Sequence, residues 1–121
     1  MSVILLIENN PVMRPALRDL LRMDGQTVIT AMDVPDALSL LSNIGGVDLI
    51  LANVATPDVD SVSLVIHLRN QDQYKTLPLL MFSIKNNDNL RQQIMDAGAD
   101  GFLSAPFTLT ELKSSVQRLL T

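Results

Sequence analysis

Three polar stretches stand where aliphatic runs end, and their residue types limit the chemistry open to them. Glu8-Asn9-Asn10 follows Val3 to Ile7, Asn53 closes the run Val47 to Ala52, and Ser83 follows Leu79 to Phe82. In an open α/β sheet, ligands and reactions lie outside the carboxyl ends of the strands. The three stretches therefore point to one mouth. Acid-dependent chemistry there would need several carboxylates. Glu8 supplies one, while Asn9 and Asn53 are neutral amides. The mouth has the layout of an acidic metal site with most of its charge missing.

The elements that must position these residues follow from periodicity. Five short apolar runs (3–7, 27–30, 47–52, 79–82 and 101–103) alternate with five segments of helical spacing. The first, third and fourth runs are almost continuously aliphatic, as strands covered on both faces are. The first helix is expected from Asn10 as N-cap with Pro11 at the first helical position. It carries Leu17, Leu20 and Leu21 inward and stops at Asp24-Gly25, with a slight bend possible at Pro15. Asp33 caps the second helix, which buries Ala37, Leu38, Leu40 and Leu41 before Gly45-Gly46. The third runs from Ser61 to Asn70 with Val62, Val65, Ile66 and Leu68 apolar, and the fourth from Asp88 to Ala97, ending at Gly98. The fifth starts after Thr108 or Thr110, with Glu111 favouring its N-terminus and Leu112, Val116, Leu119 and Leu120 turned inward. Alternating βα units with right-handed crossovers predict one α/β domain over 1–121, a doubly wound five-stranded parallel sheet with helices on both faces.

Composition narrows the function classes. The 121 residues suffice for one domain with its own core, and a net charge of −4 argues against nucleic acid or an anionic membrane as a direct partner. Cysteine is absent, which excludes thiolate and zinc–sulfur chemistry and accords with a cytoplasmic location. No segment has the length of a membrane span, and the first apolar run is too short for a signal peptide. Three Phe, one Tyr and no Trp leave little for base stacking. The six methionines are scattered, and a core role suits them better than a binding stripe.

Four motifs then fall in one order. ILLIENNP resembles a hydrophobic run, two acids and a proline. DLILANVATPDVDS resembles a third strand and its loop, with Pro57 and Asp60 at the expected offsets. PLLMFS resembles a fourth strand ending in a hydroxyl, and AGADGFLSAPF a fifth strand followed by a turn that usually reads lysine-proline. Together they resemble the receiver domain of two-component response regulators, over the whole chain. The resemblance implies the flavodoxin-like (βα)5 fold and a phosphorelay role. It also implies a pocket in which two acids and an aspartate hold Mg²⁺, that aspartate accepts the phosphoryl group, and a hydroxyl and a lysine hold the phosphoryl oxygens.

Carried over residue by residue, that pocket reads Glu8, Asn9, Asn53, Ser83 and Ala105, with Pro106 kept. Glu8 alone keeps a negative charge, so Mg²⁺ binding is not expected and no cofactor is implied. An amide is a poor nucleophile beside a carboxylate, and Ala105 offers no cation. Three matched departures suggest a naturally degenerate pseudo-receiver. Glu8 reads equally as a vestigial metal ligand or as a solvated acid near helix N-termini. Asn53 reads as bonding loop backbone with its amide, and Ser83 as satisfying local backbone. Asp58 and Asp60 are poor substitute acceptors, and His67 is a partly exposed surface residue. At the position of the family's switch aromatic stands Phe102, which is expected to be static.

Three functions compete. The leading one is a non-enzymatic, phosphorylation-independent interaction module. Its partner, another protein or a second copy, would meet the fourth helix, fifth strand and fifth helix through Arg91, Gln92, Met95, Lys113 and Arg118. The second keeps atypical phosphotransfer, or phosphate or metal binding, with Glu8 as the nearest acid. The third is a small flavodoxin-like or nucleotide-binding enzyme, which Glu8-Asn9-Asn10-Pro11 disfavours because it has no phosphate-loop glycines.

Overall fold

The computed structural model describes residues 2–54, 59–84, 88–104 and 106–121, with backbone only at 59 and 60. Ala105, Pro57 and Asp58 lie outside the described residues, and so does the Asp60 side chain. Five strands, β1 (Val3–Ile7), β2 (Thr27–Ala31), β3 (Leu49–Asn53), β4 (Leu79–Ser83) and β5 (Gly101–Ser104), form one sheet. The sheet is parallel throughout, in the order β2-β1-β3-β4-β5. Five α-helices connect and flank it: α1 (Met13–Met23), α2 (Val34–Asn43), α3 (Val59–Arg69), α4 (Asp88–Ala97) and α5 (Leu109–Leu120). The expected doubly wound sheet is the observed one.

Strand alternation divides the core into two layers. Leu5, Ile7, Ile50, Ala52, Leu79 and Met81 pack with residues of α2, α3 and α4, among them Leu41, Leu64, Leu68 and Ile94. Ile4, Leu6, Leu49, Leu51, Leu80 and Phe82 face the other way, onto Leu17 and Leu21 of α1 and Leu112 and Val116 of α5. Burial on both faces is why β1, β3 and β4 read as unbroken aliphatic runs. Phe82 closes the second layer edge-on against Phe107, with centroids 6.1 Å apart at 77°.

Several boundaries differ from expectation for local reasons. Helix α1 starts at Met13 and not at Pro11, because Pro15 has no N–H to give the Pro11 carbonyl. Asn10 still caps the turn: its Oδ1 accepts the Val12 and Met13 N–H groups at 2.8 and 3.0 Å. β3 begins at Leu49, two residues late. Asp48 instead ties the N-terminal ends of β1 and β3, its carboxylate accepting Val3 N–H at 2.8 Å. In α3 the core position belongs to Leu64, and Ile66 is 47% exposed. Met23 and Met32 are exposed too, so the core reading fails for those two methionines. Asp33 caps α2 as expected, accepting Asp36 N–H at 2.8 Å.

Candidate functional site at the carboxyl ends of the strands

Alternation decides which side of the sheet each mouth residue occupies. Glu8 continues the parity of Ile4 and Leu6, and Asn53 that of Leu49 and Leu51, so both belong to the α1/α5 side. Ile7 stands opposite Ala52 in the β1–β3 register, and one step further places Glu8 opposite Asn53. Ser83 continues the parity of Leu79 and Met81, on the α2/α3/α4 side. Phe102 pairs with Met81 and packs, half-buried, against that same layer, as does Met95.

The Glu8–Asn53 pair is bonded. Asn53 Nδ2 donates to Glu8 Oε1 at 3.0 Å, and the backbone N–H of Asn10 donates to the same oxygen at 3.2 Å. The backbone of Glu8 is held as well: its N–H donates to the Ala31 carbonyl at 3.0 Å, and its carbonyl accepts Arg14 Nη1 at 3.0 Å. Glu8 is only 1% exposed. The reading of Glu8 as a solvated acid is therefore corrected. Strand pairing carries it one step past Ile7 into the sheet's end, and helix α1 covers that side. Glu8 Oε2 and Asn53 Oδ1 are buried and have no hydrogen-bond partner among the described residues. Among the described residues the mouth thus holds one buried carboxylate, engaged by N–H donors at one oxygen, with Glu8 Oε2 and Asn53 Oδ1 as the two acceptor atoms left over.

The remaining site residues are more dispersed. Asn9 is exposed at the rim, and Ser83 is 3% exposed and engaged. On the expected partner face, Arg91, Gln92 and Arg118 are exposed, and Gln92 donates to Asp96 Oδ1 at 2.8 Å. Lys113 reaches the other way, its Nζ 3.4 Å from Asp24 Oδ1 at the end of α1. It bridges α5 to α1, so its charge is already matched. His67 is exposed and contacts Gln71. At the opposite end of the sheet, a groove of about 430 Å³ is lined by residues such as Leu41, Gly46, Gln73 and Tyr74, without a charged side chain. Among the described residues no three His, Cys, Asp or Glu side chains cluster to hold a metal ion. No helix of the described residues is long and apolar enough to cross a membrane.

One polar hub escaped the sequence reading. Arg69, the last residue of α3, donates to the carbonyls of Gly98, Tyr74 and Leu77 at 2.9, 3.1 and 2.8 Å, and to Asp100 Oδ2 at 2.8 Å. Asp100 Oδ2 also accepts the Leu79 N–H at 2.8 Å. An arginine ending an apolar helix, and an aspartate just before a strand, were the signals available.

Comparisons with known proteins bear on the family and the fold. A family model described as the response regulator receiver domain matches residues 4–117. The chain is 30% identical over 118 residues to the sensor histidine kinase TmoS of Ectopseudomonas mendocina, covering 98% of the chain and 12% of the kinase. It is 30% identical over 117 residues to the KDP operon transcriptional regulatory protein KdpE of Escherichia coli, covering 97% of the chain and half of that regulator. Among solved structures, the chemotaxis protein CheY4 of Vibrio cholerae superposes with a TM-score of 0.86 at 28% identity, covering 98% of both chains.

Proposed function

Because this chain belongs to the receiver-domain family of two-component response regulators, we propose that it signals there without phosphoryl transfer, as a protein-interaction module and not an enzyme. One observation carries the reading. Asn53, which the family resemblance puts at the phosphoacceptor position, has its amide bonded to Glu8, the one acid at the matched pocket positions. A carboxamide does not form the acyl phosphate that a carboxylate forms. The atoms left over at the mouth, Glu8 Oε2 and Asn53 Oδ1, are acceptors. They repel the oxygens of an incoming phosphoryl group instead of holding them.

The residues present do not fit Mg²⁺. The ion favours a near-octahedral shell of hard oxygens anchored by carboxylates. At the matched pocket positions one carboxylate, Glu8, remains, and an amide N–H occupies one of its oxygens. Phosphotransfer through Glu8 is disfavoured for another reason: at 1% exposure the carboxylate is out of reach of a phosphodonor. The partner, another protein or a second copy, is assigned to the α4–β5–α5 face. Arg91, Gln92 and Arg118 are among its exposed polar groups, and Met95 and Phe102 are half-buried and pack against the core.

The test is incubation of the whole chain with acetyl phosphate, or with beryllofluoride, in the presence of Mg²⁺. The expected result is an unchanged mass and unchanged amide chemical shifts around Asn53. A stable gain of one phosphoryl group, or Mg²⁺-dependent shifts at that strand end, overturns the proposal.

A further inference from the structure

We infer that the Asn53 side chain is a neutral clasp that takes the place of a cation between β1 and β3, and that Asn53→Asp alone would make the fold depend on a divalent ion. The inference deepens the reading of a phosphorylation-independent receiver and rests on it for the meaning of position 53.

The argument starts from burial. Glu8 is 1% exposed, and a buried carboxylate is tolerated only where donors or a counter-charge meet it. Among the described residues its carboxylate receives two groups, the Asn10 backbone N–H and Asn53 Nδ2. The nearby arginine, Arg14, gives its guanidinium to the Glu8 carbonyl. The backbone donor belongs to β1's own continuation. Asn53 alone reaches across from the neighbouring strand, so its N–H is the one described side-chain bond joining the β1 and β3 ends at the mouth.

Exchanging the amide for a carboxylate reverses the contact. An ionised aspartate is acceptor-only, so the donated N–H disappears and two carboxylates meet at hydrogen-bonding distance. The pair then carries two negative charges where it carried one. A hard divalent cation relieves that repulsion by accepting oxygens from both. The wild-type pair carries a single carboxylate, and the amide donor meets one of its oxygens, leaving one unpartnered acceptor atom on each side chain among the described residues.

The experiment is thermal melting of the full chain with and without millimolar Mg²⁺ at matched ionic strength, for wild type, Asn53→Asp, Asn53→Ala and the double variant Glu8→Gln/Asn53→Asp. Wild type is expected to melt at the same temperature in both conditions. Asn53→Asp is expected to melt about 5–10 °C lower without metal, from the lost charge-assisted bond and the new repulsion, and to regain most of that with Mg²⁺. Asn53→Ala loses stability that Mg²⁺ does not return. The double variant, with one charge again, is Mg²⁺-insensitive and melts above Asn53→Asp in metal-free buffer. Should Asn53→Asp fail to fold without metal, recovery of the fold by Mg²⁺ or by the second substitution supports the clasp, and recovery by neither overturns it. Metal-free Asn53→Asp as stable as wild type overturns it, as does Mg²⁺ stabilisation of wild type. Phosphoryl uptake by wild type would sink the proposed function, whereas an unshifted Asn53→Asp would sink the clasp alone.

Discussion

At the scale of single residues, two polar side chains fasten opposite ends of the sheet. Asn53 joins β1 to β3 at the mouth, and Arg69 gathers the far end. The Arg69 guanidinium meets three backbone carbonyls and a carboxylate, with its side chain only 17% exposed. Its planar fork of five donors suits that spread of acceptors, which one lysine ammonium cannot span. Gly98 takes part: at φ of +121° a Cβ there would sit 3.0 Å from Arg69 Cγ. Replacing Arg69 by alanine leaves the carbonyls of Gly98, Tyr74 and Leu77 without this donor. We expect a loss of about 3 kcal/mol, seen as a lower urea midpoint with an unchanged slope. Arg69→Lys should recover less than half of it. A loss below about 0.5 kcal/mol for Arg69→Ala, the size of an ordinary surface substitution, would show that the hub is ornamental.

At the scale of elements, what could be read in advance was whatever one segment decides by itself. The cap Asp33, a start of the fifth helix after Thr108 or Thr110 and the stop at Gly98 were visible because each acts within a few residues. Thr108 accepts Glu111 N–H at 3.0 Å while Glu111 Oε1 accepts Thr108 N–H at 3.2 Å, a reciprocal box that starts α5. Thr108→Ala is expected to cost about 1 kcal/mol, lowering the melting temperature by roughly 3–6 °C. No change would mean that tertiary packing of Leu112 and Val116 alone holds this end of the helix. What stayed hidden depended on two segments at once. The start of α1 at Met13 needs a proline four residues after a carbonyl to be weighed against a good cap. The burial of Glu8 needs the β1–β3 register, which places it opposite Asn53. The turn of Lys113 toward Asp24 needs the packing of α5 on α1, and no spacing along either helix announces it. That Asn53 and Ser83 end strands and that Glu8 follows one was legible in the apolar runs; the bond between Glu8 and Asn53 was not.

At the scale of the molecule, strand alternation sorts the residues of the strand ends onto two sides of the sheet. Glu8 and Asn53 belong to the α1/α5 side, whereas Ser83 and Phe102 belong to the side of α4. A ligand at the strand ends could touch both groups, since Asn53 and Ser83 end adjacent strands β3 and β4. If the proposed loss of phosphoryl transfer lies in residue types alone, restoring them together should restore the chemistry. The variant Asn9→Asp/Asn53→Asp/Ala105→Lys rebuilds three acids with Glu8, a site for Mg²⁺, and a cation for the phosphoryl oxygens. Asn53→Asp alone lacks the second ion-binding acid at position 9 and the cation at position 105, and is expected to take up phosphoryl from acetyl phosphate at least ten times more slowly, about 1.4 kcal/mol of barrier or more. The triple variant should gain one phosphoryl group in the mass spectrum, and NMR signals from Phe102 and Met95 should then move with it. A triple variant that binds Mg²⁺ yet takes up no phosphoryl would place the divergence in the shape of the mouth and not in the three side chains.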